Sequence, residues 1–287
     1  MLRLAVTTEA ETFDRLRAPL ADRGIEVAHL SAEGRTIDLD TPPTETFDAG
    51  FVFPARTQSG VALSALYDLS WVNDRAAVLT SRNKGGVLAT LRATGLPTPK
   101  TTMAASPVDD DALAAAADRL GWPVVVKPNS TTRGTGVAKA GDLDSLSGVV
   151  DYLDLVHDYR ATGDKTFLLQ EYLPDARDYR VMVVDGAYAG AVERRLDDAD
   201  REAGRWKHNV HRGAEATGVD LPVEYRRLAE RAAAALDVSY LGVDLLVTDD
   251  RVVVAETNAR PTVDAATKYV DDFYDRLAEL IRTTAEK

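Results

Sequence analysis

At 287 residues, 45% of them apolar, the chain is long enough for roughly two or three cored lobes and too apolar to remain disordered. Its formal net charge of −12 argues against nucleic acid as a main partner, because phosphate backbones demand a basic surface. The absence of cysteine excludes disulfides, thiolate zinc sites and thiol nucleophiles together.

The segment Met1-Leu2-Arg3-Leu4-Ala5-Val6 reads as a strand and not as a signal peptide, and no apolar stretch is long enough to span a bilayer. A cytoplasmic protein without membrane contact is expected. Strands are predicted over 2–7, 25–30 and 47–53, with helices over 12–22 and 60–69. This βαβ rhythm implies a small parallel-sheet α/β lobe over residues 1–78. A helix over 84–94 closes at Gly95, and Pro97-Thr98-Pro99 marks a boundary inside the remaining domain, 79–287.

A central α+β lobe is expected over about 100–168: a helix over 107–120, a strand over 123–128, a Gly-containing loop, a helix over 143–159 and a turn at 161–164. A C-terminal α+β lobe follows over about 169–287. It has strands at 168–172, 178–184 and 187–194, with Asp185-Gly186 as a two-residue hairpin turn. A helix over 222–236, an acidic hairpin and a last helix over 271–283 complete it.

That hairpin is the strongest chemical signal. Gly242-Val243-Asp244-Leu245-Leu246 and Val252-Val253-Val254-Ala255-Glu256-Thr257-Asn258 are β-branched, apolar runs flanking Asp249-Asp250-Arg251. A three-residue loop there sets Asp244 opposite Glu256 with Asn258 on the same face; a two-residue loop puts the carboxylates on opposite faces. Facing carboxylates repel across a ladder, and a hard divalent cation with a taste for oxygen ligands removes that penalty.

Upstream, Val124-Val125-Val126-Lys127-Pro128 ends in one of only eight lysines among 34 basic residues, and abundant Asp beside scarce Lys resembles the surface of proteins adapted to high salt. The following loop, Asn129 to Gly136, offers backbone N–H groups and hydroxyls without bulk, which suits phosphate oxygens; Ser130 and Gly134 lie in it. It is neither a Walker loop nor a dinucleotide fingerprint. Asp178 and Arg180 share a strand face, Glu193-Arg194-Arg195 ends the next strand, and Arg205 to Gly213 concentrates polar donors. His208 and His211 could suggest a metal pair, but with no cysteine or third histidine near, hydrogen bonds to phosphate or substrate are the better reading. Arg180, Arg194, Arg195, Arg212 and Arg260 gather at the same strand ends and suggest a positive pocket for anions.

In this order, the Lys strand with its Gly-rich loop, Q-E-Y-L, D-x-R, E-R-R, N-x-H-R-G, G-V-D and E-x-N resemble the ATP-grasp superfamily, and more closely its RimK-type α-L-glutamate ligases, over about residues 70–265. The resemblance implies an ATP-grasp fold with ATP between the central and C-terminal lobes. Lys84 and Lys127 would contact the nucleotide, Gln170, Glu171, Tyr172 and Leu173 would form the adenine hinge, and Asp178 would lie near the ribose. Lys207, His208 and Asn209 stand where the family has Arg-Ser-Asn. Asp244, Glu256 and Asn258 match its Mg²⁺ (or Mn²⁺) ligands. Ala214 replaces a family glycine, and Ala259-Arg260-Pro261-Thr262 replaces the family's Ser-Pro-Gly, where Arg260 suits a substrate carboxylate.

The implied activity is that of an ATP-dependent carboxylate–amine ligase working through an acyl phosphate. Its partners would be an amino acid donor, glutamate by default, and an amine acceptor on a protein tail, peptide or coenzyme; a homo-oligomer is left open. A phosphotransferase to a hydroxyl and an inactive nucleotide-binding module are the alternatives.

Overall fold

The computed structural model describes every residue except 9–10, 132–133, 157–164 and 208–214. Strands β1 (Leu2–Val6), β2 (Ile25–His29), β3 (Ala49–Val52) and β4 (Trp71–Asn73) form a parallel sheet in the order β2-β1-β3-β4. Helices α1 (Glu11–Ala21) and α2 (Thr57–Tyr67) make its crossovers, and α3 (Arg75–Arg82) leads out of it. The Asp74 carboxylate caps α3 by accepting the Ala77 N–H at 2.8 Å. Asn83 then ends α3 and caps α4 (Lys84–Ala93), its Oδ1 accepting the Gly86 N–H at 2.9 Å.

The second sheet is antiparallel, in the order β5-β8-β6-β7, from β5 (Thr101–Ala105), β6 (Val124–Pro128), β7 (Ala138–Ala140) and β8 (Thr166–Glu171). Helices α5 (Asp110–Leu120) and α6 (Leu143–Val156) cover one face, closing a core of Leu113, Val124, Val126, Leu146, Phe167 and Leu169. By strand alternation Lys127, Leu168 and Gln170 point to the other face. The expected turn at 161–164 and the end of the helix expected over 143–159 lie outside the described residues.

The third sheet comprises β9 (Arg177–Val184), β10 (Ala187–Arg195), β11 (Glu215–Gly218), β12 (Tyr240–Val247) and β13 (Val252–Asn258), antiparallel in the order β11-β10-β9-β12-β13. A short α7 (Asp198–Glu202) follows β10. Helix α8 (Val223–Leu236) covers one face through Leu228, Ala229, Ala232 and Leu236, packed with Val181, Val183, Val243 and Leu245. The opposite face changes character along its length. Met182, Val184 and Tyr240 join the core of the first sheet, whereas Asp178, Arg180 and Asp244, on the same alternation, are charged. The last helix, α9 (Phe273–Ala285), returns to the first sheet and buries Phe273, Leu277, Ala278 and Ile281 there.

The Asp185-Gly186 turn forms as expected, with φ of +49° and +75° at its two residues. The acidic hairpin reaches its expected register by a different route. Asp244 does pair with Glu256 and Gly242 with Asn258, but the expected three-residue loop is not what sets them. Val247 pairs with Val252 and the Thr248 N–H donates to the Arg251 carbonyl at 2.9 Å, leaving Asp249 and Asp250 as the turn tip. The register then shifts by one residue between Asp244 and Leu245, with Ala255 as the extra residue. That bulge returns the carboxylates to one face.

Strands β4, β5, β7 and β11 and helices α3 and α7 were not expected from the sequence. Each is short, and Thr101-Thr102-Met103-Ala104-Ala105 has little of the apolar alternation that marks a strand.

One residue joins the first sheet to the third. Asn73, buried at the end of β4, donates from Nδ2 to the carbonyls of Tyr240 (2.5 Å) and Ala259 (2.7 Å) and accepts the Tyr240 N–H at 3.2 Å. Replacing it with alanine strands three backbone groups in a dry junction. Asn73→Ala is expected to lower the unfolding free energy by about 2–4 kcal/mol in urea denaturation followed by tryptophan fluorescence; an unchanged midpoint would show that water replaces the amide.

Candidate active site

The paired strands lay Arg180, Asp244 and Glu256 side by side across β9, β12 and β13. Arg180 grips Asp244 in a fork, Nε to Oδ1 at 2.7 Å and Nη2 to Oδ2 at 2.8 Å. Arg194, from β10, reaches the same carboxylate at 3.0 Å and donates to Asp178 Oδ1 through Nε at 3.0 Å and Nη2 at 2.5 Å. Burial acts to raise the Asp244 pKa, but Arg180 and Arg194 outweigh it and hold the carboxyl well below the usual range. For Arg194, burial acts downward, and Asp244 with Asp178 more than reverse it.

Two lysines arrive from elsewhere in the chain. Lys84, in the first turn of α4, sets its Nζ 3.3 Å from Glu256 Oε1 and donates to the Thr131 carbonyl. Lys127, at the end of β6, is buried, and burial pushes its ammonium below the ordinary lysine value; Glu256 opposes that shift and the charge of Lys84 adds to it. Two ammonium groups and two carboxylates thus meet between the second and third sheets. Asn129 seats the start of α4, its Oδ1 accepting the Gly85 N–H at 2.8 Å.

The hinge residues are tied into the framework. Gln170 donates to Thr101 Oγ1 at 2.9 Å. Glu171 accepts the Lys100 N–H at 2.7 Å and an Arg251 N–H at 2.8 Å, linking β8 to the acidic hairpin. The Tyr172 ring meets the Lys139 ammonium at 4.5 Å and the edge of Trp206 at 5.8 Å, with Leu173 next in the chain, and Lys207 donates to the Val137 carbonyl. Ser130 is exposed, and Gly134 takes φ +66° in the loop beyond it. His208, Asn209 and Arg212 lie outside the described residues.

Arg195 lies apart from this group. Neighbours in a strand face opposite ways, and Arg195 is exposed and pairs with Glu193 at 3.1 Å on the other side of the sheet. Arg260 also leaves the group: its guanidinium turns to the first sheet, while its N–H donates to Asn258 Oδ1 at 2.9 Å. Sequence reading missed Lys139 and Trp206, which stand around Tyr172. Lys139 had a usable signal, the rarity of lysine, but it stands on a three-residue strand with no pattern of its own.

The donor set fits a divalent cation. Asp244 and Glu256 are opposed by register, Asn258 adds an amide oxygen two pairs further on, on the same face, and all three can bind through oxygen. Among the described residues no third acidic or imidazole side chain joins the two carboxylates.

A family model described as a RimK-like ATP-grasp domain matches residues 81–281. The chain belongs to the RimK-like ATP-grasp family. It is 32% identical over 192 residues to a protein named probable alpha-L-glutamate ligase from Pectobacterium carotovorum, a match covering 66% of this chain and 59% of that protein. The chain thus spans about three fifths of the length of such curated relatives. Among solved structures, a D-cycloserine synthetase superposes with a TM-score of 0.75 at 21% identity, over 99% of both chains. The RimK domain ATP-grasp protein of Sphaerobacter thermophilus superposes at 0.70, also at 21% identity, over 98% of this chain and 99% of that one. The fold of this chain is accordingly ATP-grasp, with a parallel sheet followed by two antiparallel ones.

The Lys127 environment makes a signed prediction. Because its folded pKa is depressed, the folded state binds fewer protons than the unfolded one just below pH 10.5, and stability rises with pH through that window. Lys127→Met is expected to unfold at the same or a higher urea concentration than wild type and to lose that rise. Destabilisation by about 1 kcal/mol or more would show that attraction to Glu256 outweighs the cost of burial.

Proposed function

We propose that this protein is an ATP-dependent carboxylate–amine ligase, with glutamate or a similar amino acid as one substrate and a protein, peptide or coenzyme as the other. The observation that carries this reading is the convergence of Lys84 and Lys127 on the opposed pair Asp244 and Glu256. Such a site matches a metal–nucleotide: ammonium groups for phosphate oxygens, carboxylates for the cation. The name of the Pectobacterium relative supports the same chemistry.

In this reading one oxygen of a substrate carboxylate attacks the γ-phosphorus, the bond to the bridging oxygen breaks, and ADP leaves. The acyl phosphate is then attacked at its carbonyl carbon by an amine; phosphate departs with the bonding pair, the nitrogen loses a proton, and an amide remains. No side chain need act as a nucleophile. Lys84 and Lys127 offset phosphate charge and hold the γ-phosphate where the carboxylate can reach it, so two anions that repel in water are aligned. Arg180 and Arg194 fix the Asp244 carboxylate in orientation and keep it ionised. Gln170 to Leu173 offer backbone groups to the adenine, and Tyr172 with Trp206 supplies apolar surface beside it. Asp244, Glu256 and Asn258 would hold Mg²⁺ or Mn²⁺, which when bound neutralises charge on the phosphate oxygens.

The test is coupled measurement of ADP and phosphate release with MgATP, glutamate and fractionated amine acceptors from a cell extract, at high salt. Both products are expected in equal amounts with the amide, and Glu256→Gln is expected to cut turnover by at least about 100-fold while leaving the fold intact. Release of ADP without phosphate would identify a phosphotransferase, and nucleotide binding without turnover a binding module.

A further inference from the structure

The second sheet has an open edge. β5 is the end strand in the order β5-β8-β6-β7. At either end of its ladder the Glu171 N–H donates to the Lys100 carbonyl and the Ser106 N–H to the Lys165 carbonyl, both at 3.0 Å. In an antiparallel pair only alternate residues bond the partner strand, so the even-numbered residues from 100 to 106 are engaged with β8. The backbone N–H and C=O groups of Thr101, Met103 and Ala105 therefore point out of the sheet. Among the described residues no backbone group pairs with them.

A groove of about 1050 Å³ runs between this edge and helices α3 and α4, and takes in the end of α5. Its floor is apolar, from Leu88 of α4, Met103 of β5 and Leu168 of β8. The start of α4 rests on that floor: a side chain at Gly85 would begin 3.2 Å from Met103 Sδ and 3.4 Å from Leu168 Cδ2. Met103 is nevertheless 56% exposed. The rim is basic. Arg82 of α3, Arg92 of α4, Lys100 before β5 and Arg119 of α5 line the groove, with no carboxylate among the described lining residues. Arg92, Lys100 and Arg119 are exposed, and among the described residues no partner engages their side chains.

Lone exposed cations are ordinary, and a lysine on an edge strand commonly keeps it from pairing with other chains. Here, however, the cations come from four separate stretches of a chain with 46 acidic and 34 basic residues, and they surround an apolar floor. We propose that this edge is a docking site for an acidic, extended segment of another protein, which adds to β5 as a further strand. The outward groups of Thr101, Met103 and Ala105 supply main-chain hydrogen bonds, the rim meets acidic side chains and the floor meets apolar ones. Five residues match the length of β5. A second copy of this chain is a poor occupant, because pairing β5 with β5 about a two-fold axis sets the same cations against each other. Nucleic acid fits less well, since a phosphate backbone offers acceptors alone to an edge that alternates donors and acceptors. The proposal goes beyond the ligase reading and does not rest on it: Lys84, Lys127, Asp244 and Glu256 are not among the groups it uses.

The probe is a fluorescein-labelled octapeptide of alternating valine and glutamate, titrated into the full chain at the lowest salt at which circular dichroism shows the native fold. The matching valine–lysine peptide and a short oligothymidylate are the comparisons. The valine–glutamate peptide is expected to bind saturably, at least about tenfold more tightly than either, and to slow hydrogen exchange at the Met103 and Ala105 amides. Arg92→Glu and Arg119→Glu are each expected to weaken it about tenfold. Met103→Pro removes an outward donor that β8 does not use, and is expected to weaken binding to a similar degree with little change in melting temperature. Equal binding of either comparison overturns the proposal, as does binding that leaves those amides unprotected. Absence of peptide binding to the wild type also overturns it; if Arg119→Glu then self-associates, the cations only guard the edge. Should Met103→Pro fail to fold, the charge reversals and the wild-type exchange pattern still decide. Neither nucleotide nor turnover enters these measurements, so a failed docking site leaves the ligase reading standing, and a failed ligase reading leaves the docking site standing.

Discussion

Two carboxylates facing each other across a β-ladder cannot stand without cations, and much of the molecule is arranged around that constraint. Asp244 is compensated from within its own sheet by Arg180 and Arg194, whereas Glu256 is compensated from outside it by Lys84. The first arrangement is internal to the third sheet and rigid. The second spans elements that belong to different sheets, so the electrostatic demand of one hairpin also holds the cleft together. Lys127 shows the cost of this design, because it is kept charged-capable in a buried position that disfavours its charge.

The same surface of the third sheet serves two purposes by changing composition along β9 and β12. At one end Met182, Val184 and Tyr240 complete the core of the first sheet; at the other Asp178, Arg180 and Asp244 face the cleft. A strand with period two makes this division possible, since one face can be apolar in its first half and charged in its second without disturbing the face that meets α8. Asn73 sits where the two regimes meet and fixes backbone groups that neither core supplies with partners.

Much of this was legible in the sequence, for physical reasons that differ from place to place. The pairing of Asp244 with Glu256 could be read because long β-branched runs flank a polar turn. The turn itself was misread, because the bulge at Ala255 cannot be seen in a single hairpin's sequence. The separation of Arg194 from Arg195 follows from alternation alone, yet clustering basic residues by sequence proximity hides it. Short edge strands such as β7 and β11 were illegible because their stability comes from the neighbours they pair with and not from their own residues.

The return of α9 to the first sheet has a consequence for how the molecule is made. Phe273, Leu277 and Ile281 of α9 share one core with Leu4 of β1 and Phe51 of β3. The β1–β4 sheet is therefore translated before both antiparallel sheets but keeps one apolar face uncovered until α9, beyond them, has been made. Domains usually mature in the order of their synthesis. Here the sheet made before the two antiparallel ones is sealed after both, and the interval between those events is when the nascent chain most needs protection from its neighbours.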